Sequence, residues 1–185
     1  MPRRCISLFL VLVFAAQISG AEIPDVYKPY VVAIVVEDGR QAVRVSHHGI
    51  FPLQFLSAIE DGIRVQIMTE IVIRRKSKSF FIRDEVFALL EFSRSIRYNL
   101  IEGRYSISND STGGVLYFTS RNRVLQSLAA EIECLIEERK HFLPGVSYYA
   151  EARIVMRMGR LYPPFNFLSI LSHESPWVRS EGYTP

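Results

Sequence analysis

The sequence predicts a mainly β, α+β domain: an antiparallel β-sandwich or strongly bent sheet with one long and one short helix packed on it. Three observations predict this. Residues 63–75 and 146–158 each alternate apolar and polar side chains, the period of a half-buried strand. Turn signals at Asp38-Gly39, Ile101-Glu-Gly-Arg104 and Asn109-Asp-Ser-Thr-Gly-Gly114 separate shorter apolar runs, as between antiparallel strands. One stretch, Arg121 to Arg139, places apolar residues at helical spacing.

The chain opens on the basic segment Met1-Pro-Arg-Arg-Cys5, then the apolar run Ile6 to Ala16 and the small residues Ser19, Gly20 and Ala21. A run of about eleven apolar residues is short for a bilayer span, and the order basic, apolar, small is that of an export signal cleaved before Glu22. The alternative is a retained anchor. Residues 1–21 thus read as signal peptide or N-terminal anchor, 22–29 as a linker with Pro24 and Pro29, and 30–185 as a single β-rich domain. Cleavage removes Arg3 and Arg4 but no acid, so the formal charge falls by two from +3, and the balance makes no case for nucleic acid. Cys134 then stands alone among apolar residues, where a small core hydrophobe is expected and an intramolecular disulfide is excluded.

Tyr30 to Val36 is a β run, and Ala42, Val43 and Val45 return from the Asp38-Gly39 turn. His47-His48-Gly49 ends this hairpin in a solvated loop. Pro52 to Gly62 reads as a short helix with Leu53, Leu56 and Ala58/Ile59 on one face and Gly62 just past its end. Ile63, Val65, Ile67, Thr69, Ile71 and Ile73 then share one strand face. At about 3.3 Å per residue the strand is roughly 40 Å long, so it is expected to bend, carry a bulge or span two packed sheets. Arg74, Arg75, Lys76 and Lys78 form a basic strand end. Phe80 to Leu90 reads as a strand bent near Asp84, or as a short helix from Arg83. Phe92, Ile96, Tyr98 and Leu100 alternate with Ser93, Ser95, Arg97 and Asn99; Tyr105 and Ile107 begin the return, and Val115 to Phe118 is the next strand.

Ser120 is placed as the N-cap of the long helix, with Val124, Leu125, Leu128, Ile132, Leu135 and Ile136 inward. Glu131, Glu133, Glu137 and Glu138 occupy the rest, as a solvated face or an acidic contact patch. After Leu143-Pro-Gly145, one face of the last long strand is Val146, Tyr148, Ala150, Ala152, Ile154, Met156 and Met158. Its length matches that of 63–75, so the two are expected to pair antiparallel near the middle of the sheet. Tyr162-Pro-Pro-Phe165 breaks that strand. Asn166 to Leu171 is a short apolar segment, and the tail carries Trp177, expected to be covered on at least one face.

No phosphate loop, nucleophile elbow, zinc-protease helix or Cys-x-x-Cys occurs. His47 and His48 are adjacent on a strand and point to opposite faces; with His141 and His173 they are not spaced as ligands. The acid pairs Glu60-Asp61, Asp84-Glu85 and Glu137-Glu138 are adjacent rather than set apart for acid and base work. Tyr148 and Tyr149 fall on opposite faces, and Tyr162-Pro-Pro-Phe165 is either a hydrophobic lip or loop packing. No catalytic, cofactor-binding or metal-binding residue is therefore assigned, and no cofactor is expected. The expected function is a non-catalytic periplasmic or secreted envelope module. Its expected partner is an envelope protein, with no nucleic acid, and a membrane only through a retained N-terminus. The alternatives are an enzyme with a dispersed site, or the membrane-anchored accessory domain of a sensor or transporter.

The order of these features resembles a family. It runs through the Asp38-Gly39 hairpin, the Leu53…Leu56-x-x-Ile59…Gly62-Ile63 joint, Phe80-Phe…Asp84-Glu85-Val86 and Tyr98…Gly103-Arg104-Tyr105. It continues through Leu125…Leu128, Leu143-x-Gly145-x-x-Tyr148-x-Ala150-x-x-Arg153, Leu161…Pro164-Phe165 and Trp177…Ser180. This is similar to the bacterial domain of unknown function DUF4390, a family with an N-terminal signal or anchor. The resemblance covers nearly the whole mature chain, implies an exported bacterial domain, and brings no catalytic residue with it.

Overall fold

The computed structural model describes residues 27–37, 39–49, 51–79, 81–110, 112–137, 140–158 and 172–185. Residues 1–21, expected to be a signal or anchor, the expected lip or loop at Tyr162-Pro-Pro-Phe165 and the segment Asn166 to Leu171 lie outside the described residues.

Among the described residues, ten strands and two helices follow in the order β1 (Lys28–Glu37), β2 (Arg40–His48), α1 (Leu53–Glu60), β3 (Val65–Arg75), β4 (Glu85–Asn99), β5 (Arg104–Asn109), β6 (Val115–Phe118), α2 (Arg121–Ala129), β7 (Ile132–Leu135), β8 (Tyr148–Met158), β9 (Ser172–Glu174) and β10 (Val178–Arg179). They form an antiparallel seven-stranded sheet, ordered β10-β8-β3-β4-β5-β6 with β9 also on β8, and a three-stranded sheet, β1-β2-β7. The expected pairing of the two long strands holds along their full length, from Val65 opposite Met158 to Arg75 opposite Tyr148. On β3 the alternation is realised directly: Val65, Ile67, Thr69, Ile71 and Ile73 are all buried.

Two different covers share this inner face. Over one half lie α1 and α2, and Phe55, Leu56, Ile59, Val124 and Leu128 pack on Val65, Ile67, Ile96, Ile107, Ile154 and Met156. Over the other lies the small sheet, with Val43, Val45, Ile132 and Cys134 against Ile71, Ile73, Ala88, Ala150 and Ala152. There β1 lies over β8 and β7 over β4. Cys134 is the expected buried hydrophobe, and burial pushes its thiol up to about 11.

Four expectations are corrected. The long helix stops at Ala129; Ile132 to Leu135 is β7, bonded to β2. Ile132, Cys134 and Ile136 alternate inward just as well as Ile132, Leu135 and Ile136 fit a helix, and Ile132 and Cys134 complete the cover by pairing with Val45 and Val43. Glu131 and Glu133 are therefore set against β2 across the ladder: Arg44 Nε donates to Glu133 Oε2 at 2.9 Å and lies 3.9 Å from Glu131. Residues 27–29 are no linker, since β1 begins at Lys28 and Tyr27 is in the core. On α1, Leu53 points to solvent and Phe55 takes the inward place. Finally, β4 is one strand of 15 residues. Its pairing with β3 jumps between Ile73–Ala88 and Arg74–Val86, leaving Phe87 extra. Phe87 and Ala88 consequently both pack toward the small-sheet core, the local two-against-one geometry of a β-bulge.

The α1–β3 joint is set by Gly62. The helix ends on Asp61, and Gly62 follows at φ 81°. Its N–H bonds Ile59 O at 2.9 Å, and the N–H of Ile63 bonds Ala58 O at 2.9 Å, the paired bonds of a Schellman cap. An alanine Cβ there would stand 3.4 Å from Leu100 Cδ1, an ordinary contact. The penalty is thus the left-handed backbone. Gly62→Ala is expected to lower stability by about 1–2 kcal/mol, read as a lower urea midpoint at unchanged slope.

Candidate functional site

Where the two covers meet, the inner face turns polar. Thr69 lies between Ile67, under the helices, and Ile71, under the small sheet. On the neighbouring strand Arg94 is 7% exposed, its guanidinium 5.3 Å from the centre of the Phe92 ring. Arg94 Nη1 donates to Ser127 O and Nη2 to Leu128 O, both at 3.1 Å. These carbonyls belong to the last turn of α2, where they lack helical partners and form the negative end of the dipole. Tyr27 Oη donates to Leu128 O at 2.7 Å. Burial pushes this phenol up to about 12, against the pull of the adjacent Arg94 charge.

His47 completes the seam. It is the last inward residue of β2 and is buried, not in the solvated loop expected for it. Its ring stacks on Tyr27 at 5.7 Å and an interplanar angle of 16°, and Nε2 lies 3.3 Å from Thr69 Oγ1. Burial pushes the imidazole down to about 4; the Arg94 charge acts the same way, and the Ala130 backbone opposes. His47 is therefore neutral at pH 7. At the mouth of the seam a cleft of about 210 Å³ is walled by Tyr27, Phe51, Leu56, Leu125 and Leu128 with Arg121 at its rim. This is smaller than the ~300 Å³ at which small-molecule sites begin. The seam is thus a closed joint between the covers.

The residues singled out in the sequence fall in separate places. His48 is exposed beside Tyr30, on the face opposite His47. His173 packs its ring against Phe55. His141 lines an open cleft of about 520 Å³ with Gln41, Leu135, Glu137 and Lys140; Glu137 is 4.0 Å from Lys140. Tyr148 is in the core, and Tyr149, on the other face, donates to Asp84 at 2.7 Å. Asp84 also accepts from the Ser77 N–H, which holds its carboxyl below the usual range. Glu85 pairs with Arg75, and Glu60 lies 3.6 Å from Arg121. Trp177 has one face under the Arg153 guanidinium, 4.8 Å away, and Arg153 also bonds Glu70 and Glu174. Among the described residues no three of His, Cys, Asp and Glu gather as a metal site, and no helix is long and apolar enough to cross a membrane.

Two surfaces stand out instead. One is the β3–β4 turn. The other is the edge of the large sheet at β6, where Val115, Leu116 and Tyr117 are exposed, the last two at 58%. On β6 only the β5 side is paired among the described residues.

Fold and surfaces together define an open, two-sheet antiparallel domain whose inner face is shared by helices and a small sheet. The chain belongs to the family described as domain of unknown function DUF4390, whose model matches residues 31–178. No curated protein and no solved structure matches it.

Two outcomes test the seam. Arg94→Ala is expected to destabilise by about 3 kcal/mol, by uncapping α2 and leaving a cavity, and Arg94→Met by less; chemical denaturation measures both. For His47 the native state stays neutral down to about pH 4, while the unfolded imidazole protonates below pH ~6.5. Stability should therefore fall as pH drops through that window, by up to about 3 kcal/mol at its lower end. Urea midpoints at stepped pH should show a shallower fall in His47→Gln than in the wild type.

Proposed function

We propose that this protein is an exported, non-catalytic module of the cell envelope that binds a partner protein by accepting one of its strands at the β6 edge. The observation that carries this reading is the character of that edge. Soluble monomers usually blunt a terminal strand with charge, proline, a bulge or a cover. Val115 to Phe118 is short, four residues, but has neither charge nor proline; Val115, Leu116 and Tyr117 are exposed, Tyr117 with the Arg104 guanidinium over its ring, while Phe118 packs against the core. An added strand gains backbone hydrogen bonds from such an edge and takes its specificity from alternate side chains. Export is supported by the basic, apolar and small-residue order of residues 1–21.

The test is capture from envelope extracts with the tagged chain and with Tyr117→Pro, whose N–H faces away from β5, and Leu116→Lys. Proline removes an edge donor and lysine is a native edge blocker. A partner whose recovery falls at least about tenfold with both variants supports the reading; recovery unaffected by either overturns it. N-terminal sequencing of the protein from cells separates a cleaved module, starting at Glu22, from an anchored accessory domain that keeps Met1. A second reading, an enzyme with a dispersed site, is favoured by one observation: His141 and Glu137 line the same cleft. Turnover on an ester, peptide or glycan panel that is lost in His141→Ala would replace the binding module with that reading.

A further inference from the structure

We propose that the tip of the β3–β4 hairpin docks on a bilayer surface carrying anionic phospholipid. The loop from Lys76 to Asp84 joins the two central strands at the end of the sheet farthest from α1. At its tip Phe81 is 93% exposed and Ile82 66% exposed. Around them stand Lys76, Lys78 and Arg83, all exposed. Adjacent large apolar side chains projecting from a loop are unusual on a soluble monomer. Ringed by cations, they match the chemistry of an interfacial anchor: the apolar pair enters the acyl boundary while Lys and Arg meet lipid phosphates.

The loop is built so that its positive charges face outward. The carboxylates of Asp84 and of Glu85, the first residue of β4, are already engaged. Asp84 accepts from the Ser77 N–H at 2.8 Å and from the Tyr149 hydroxyl at 2.7 Å, and Glu85 pairs with Arg75. The N–H of Ile82 bonds Ser79 O at 3.2 Å, fixing the turn that carries the apolar pair. Lys76, Lys78 and Arg83 enter no ion pair among the described residues. Between them a cleft of about 330 Å³ is lined by Lys76, Lys78 and Arg83, by the Arg75–Glu85 pair, and by Ile82 and Val146, a lining with net positive charge that suits a phosphodiester headgroup. An acidic protein surface would meet the same cations. It would give Phe81, which is almost fully exposed, less to bury in than a bilayer does.

The test uses the full chain, because residues 1–21 bring an apolar run of their own. With Trp177→Phe and Phe81→Trp the only indole sits at the tip. Its emission should shift to the blue, and be quenched by brominated acyl chains, on adding phosphatidylcholine vesicles that contain phosphatidylglycerol. Pure phosphatidylcholine should do neither, and about 0.5 M salt should reverse the shift. Adding Lys76→Gln, Lys78→Gln and Arg83→Gln should weaken the response about a hundredfold. In the otherwise wild-type chain, Phe81→Asp with Ile82→Asp should lower the fraction that sediments with anionic vesicles. An unmoved tip indole overturns the proposal, and if the chain still sediments its membrane contact belongs to the N-terminal run. Equal sedimentation of the wild type and the Asp double variant overturns it as well, as does salt-sensitive binding to an acidic protein with no response to vesicles. None of these outcomes bears on the β6 edge.

Discussion

The inner face of β3 is longer than anything available to cover it. Eleven residues of strand at about 3.3 Å each extend roughly 36 Å, and five of the six positions on the inward face, Val65 to Ile73, are buried. An eight-residue helix at about 1.5 Å per residue extends only about 12 Å. Neither helix among the described residues could bury that face alone, so two covers of different kind share it and abut above Thr69. The remaining architecture follows. The chain must cross from sheet to helix and back, and β7 must leave α2 abruptly to finish the second cover.

The joint between the covers is also the point at which α2 ends, and an ending helix brings unsatisfied carbonyls. Buried without donors, each would cost about 1–3 kcal/mol. The molecule answers with a planar cation whose two terminal nitrogens reach two successive carbonyls, and with a phenol from the start of the fold. A lysine ammonium offers no such fork. The partial negative charge of the helix end takes the place of a carboxylate, and His47 beside it is held neutral, so a second buried cation is avoided. One polar knot thereby ties β1, β2, β3, β4 and α2 together, and it explains why Tyr27 belongs to the domain and not to the stretch leading into it.

How much of this was legible follows from which residues obeyed one period and which obeyed two. The strands β3 and β8 alternate without interruption and were readable as a pair. Ile132, Leu135 and Ile136 satisfy a helix, while Ile132, Cys134 and Ile136 satisfy a strand; only the open edge of β2 decides between them. Around Phe87 the bulge puts two consecutive side chains on one side, so the period fails there for a structural reason, and the continuous β4 was seen as two pieces. Arg94 left a signal that went unread, a cation in phase with Phe92, Ile96 and Tyr98 on a face otherwise apolar. The two exposed surfaces could not be read at all, because whether Leu116 or Phe81 is buried depends on strand order.

The two surfaces are not independent in space, although nothing at one is needed to form the other. The hairpin tip lies where β4 begins, at Glu85, and the β6 edge lies across β5 from Ile96. From Glu85 to Ile96 the chain is uninterrupted strand, about 36 Å at 3.3 Å per residue, flanked by β3 on one side and in part by β5 on the other. A strand locked into a ladder in this way does not hinge. A bilayer under the tip and a partner strand on the edge would therefore be held a fixed distance apart. The side-chain clasp on the outer face reinforces this. Asp110, in the β5–β6 turn, accepts from Ser93 at 2.8 Å and from Ser95 at 3.0 Å, which pins the strand pair that ends in the open edge to the strand that begins at the tip. The length of the central strands, which required two covers and a polar seam between them, is then also what would set the distance between a bilayer at the tip and a strand on the edge.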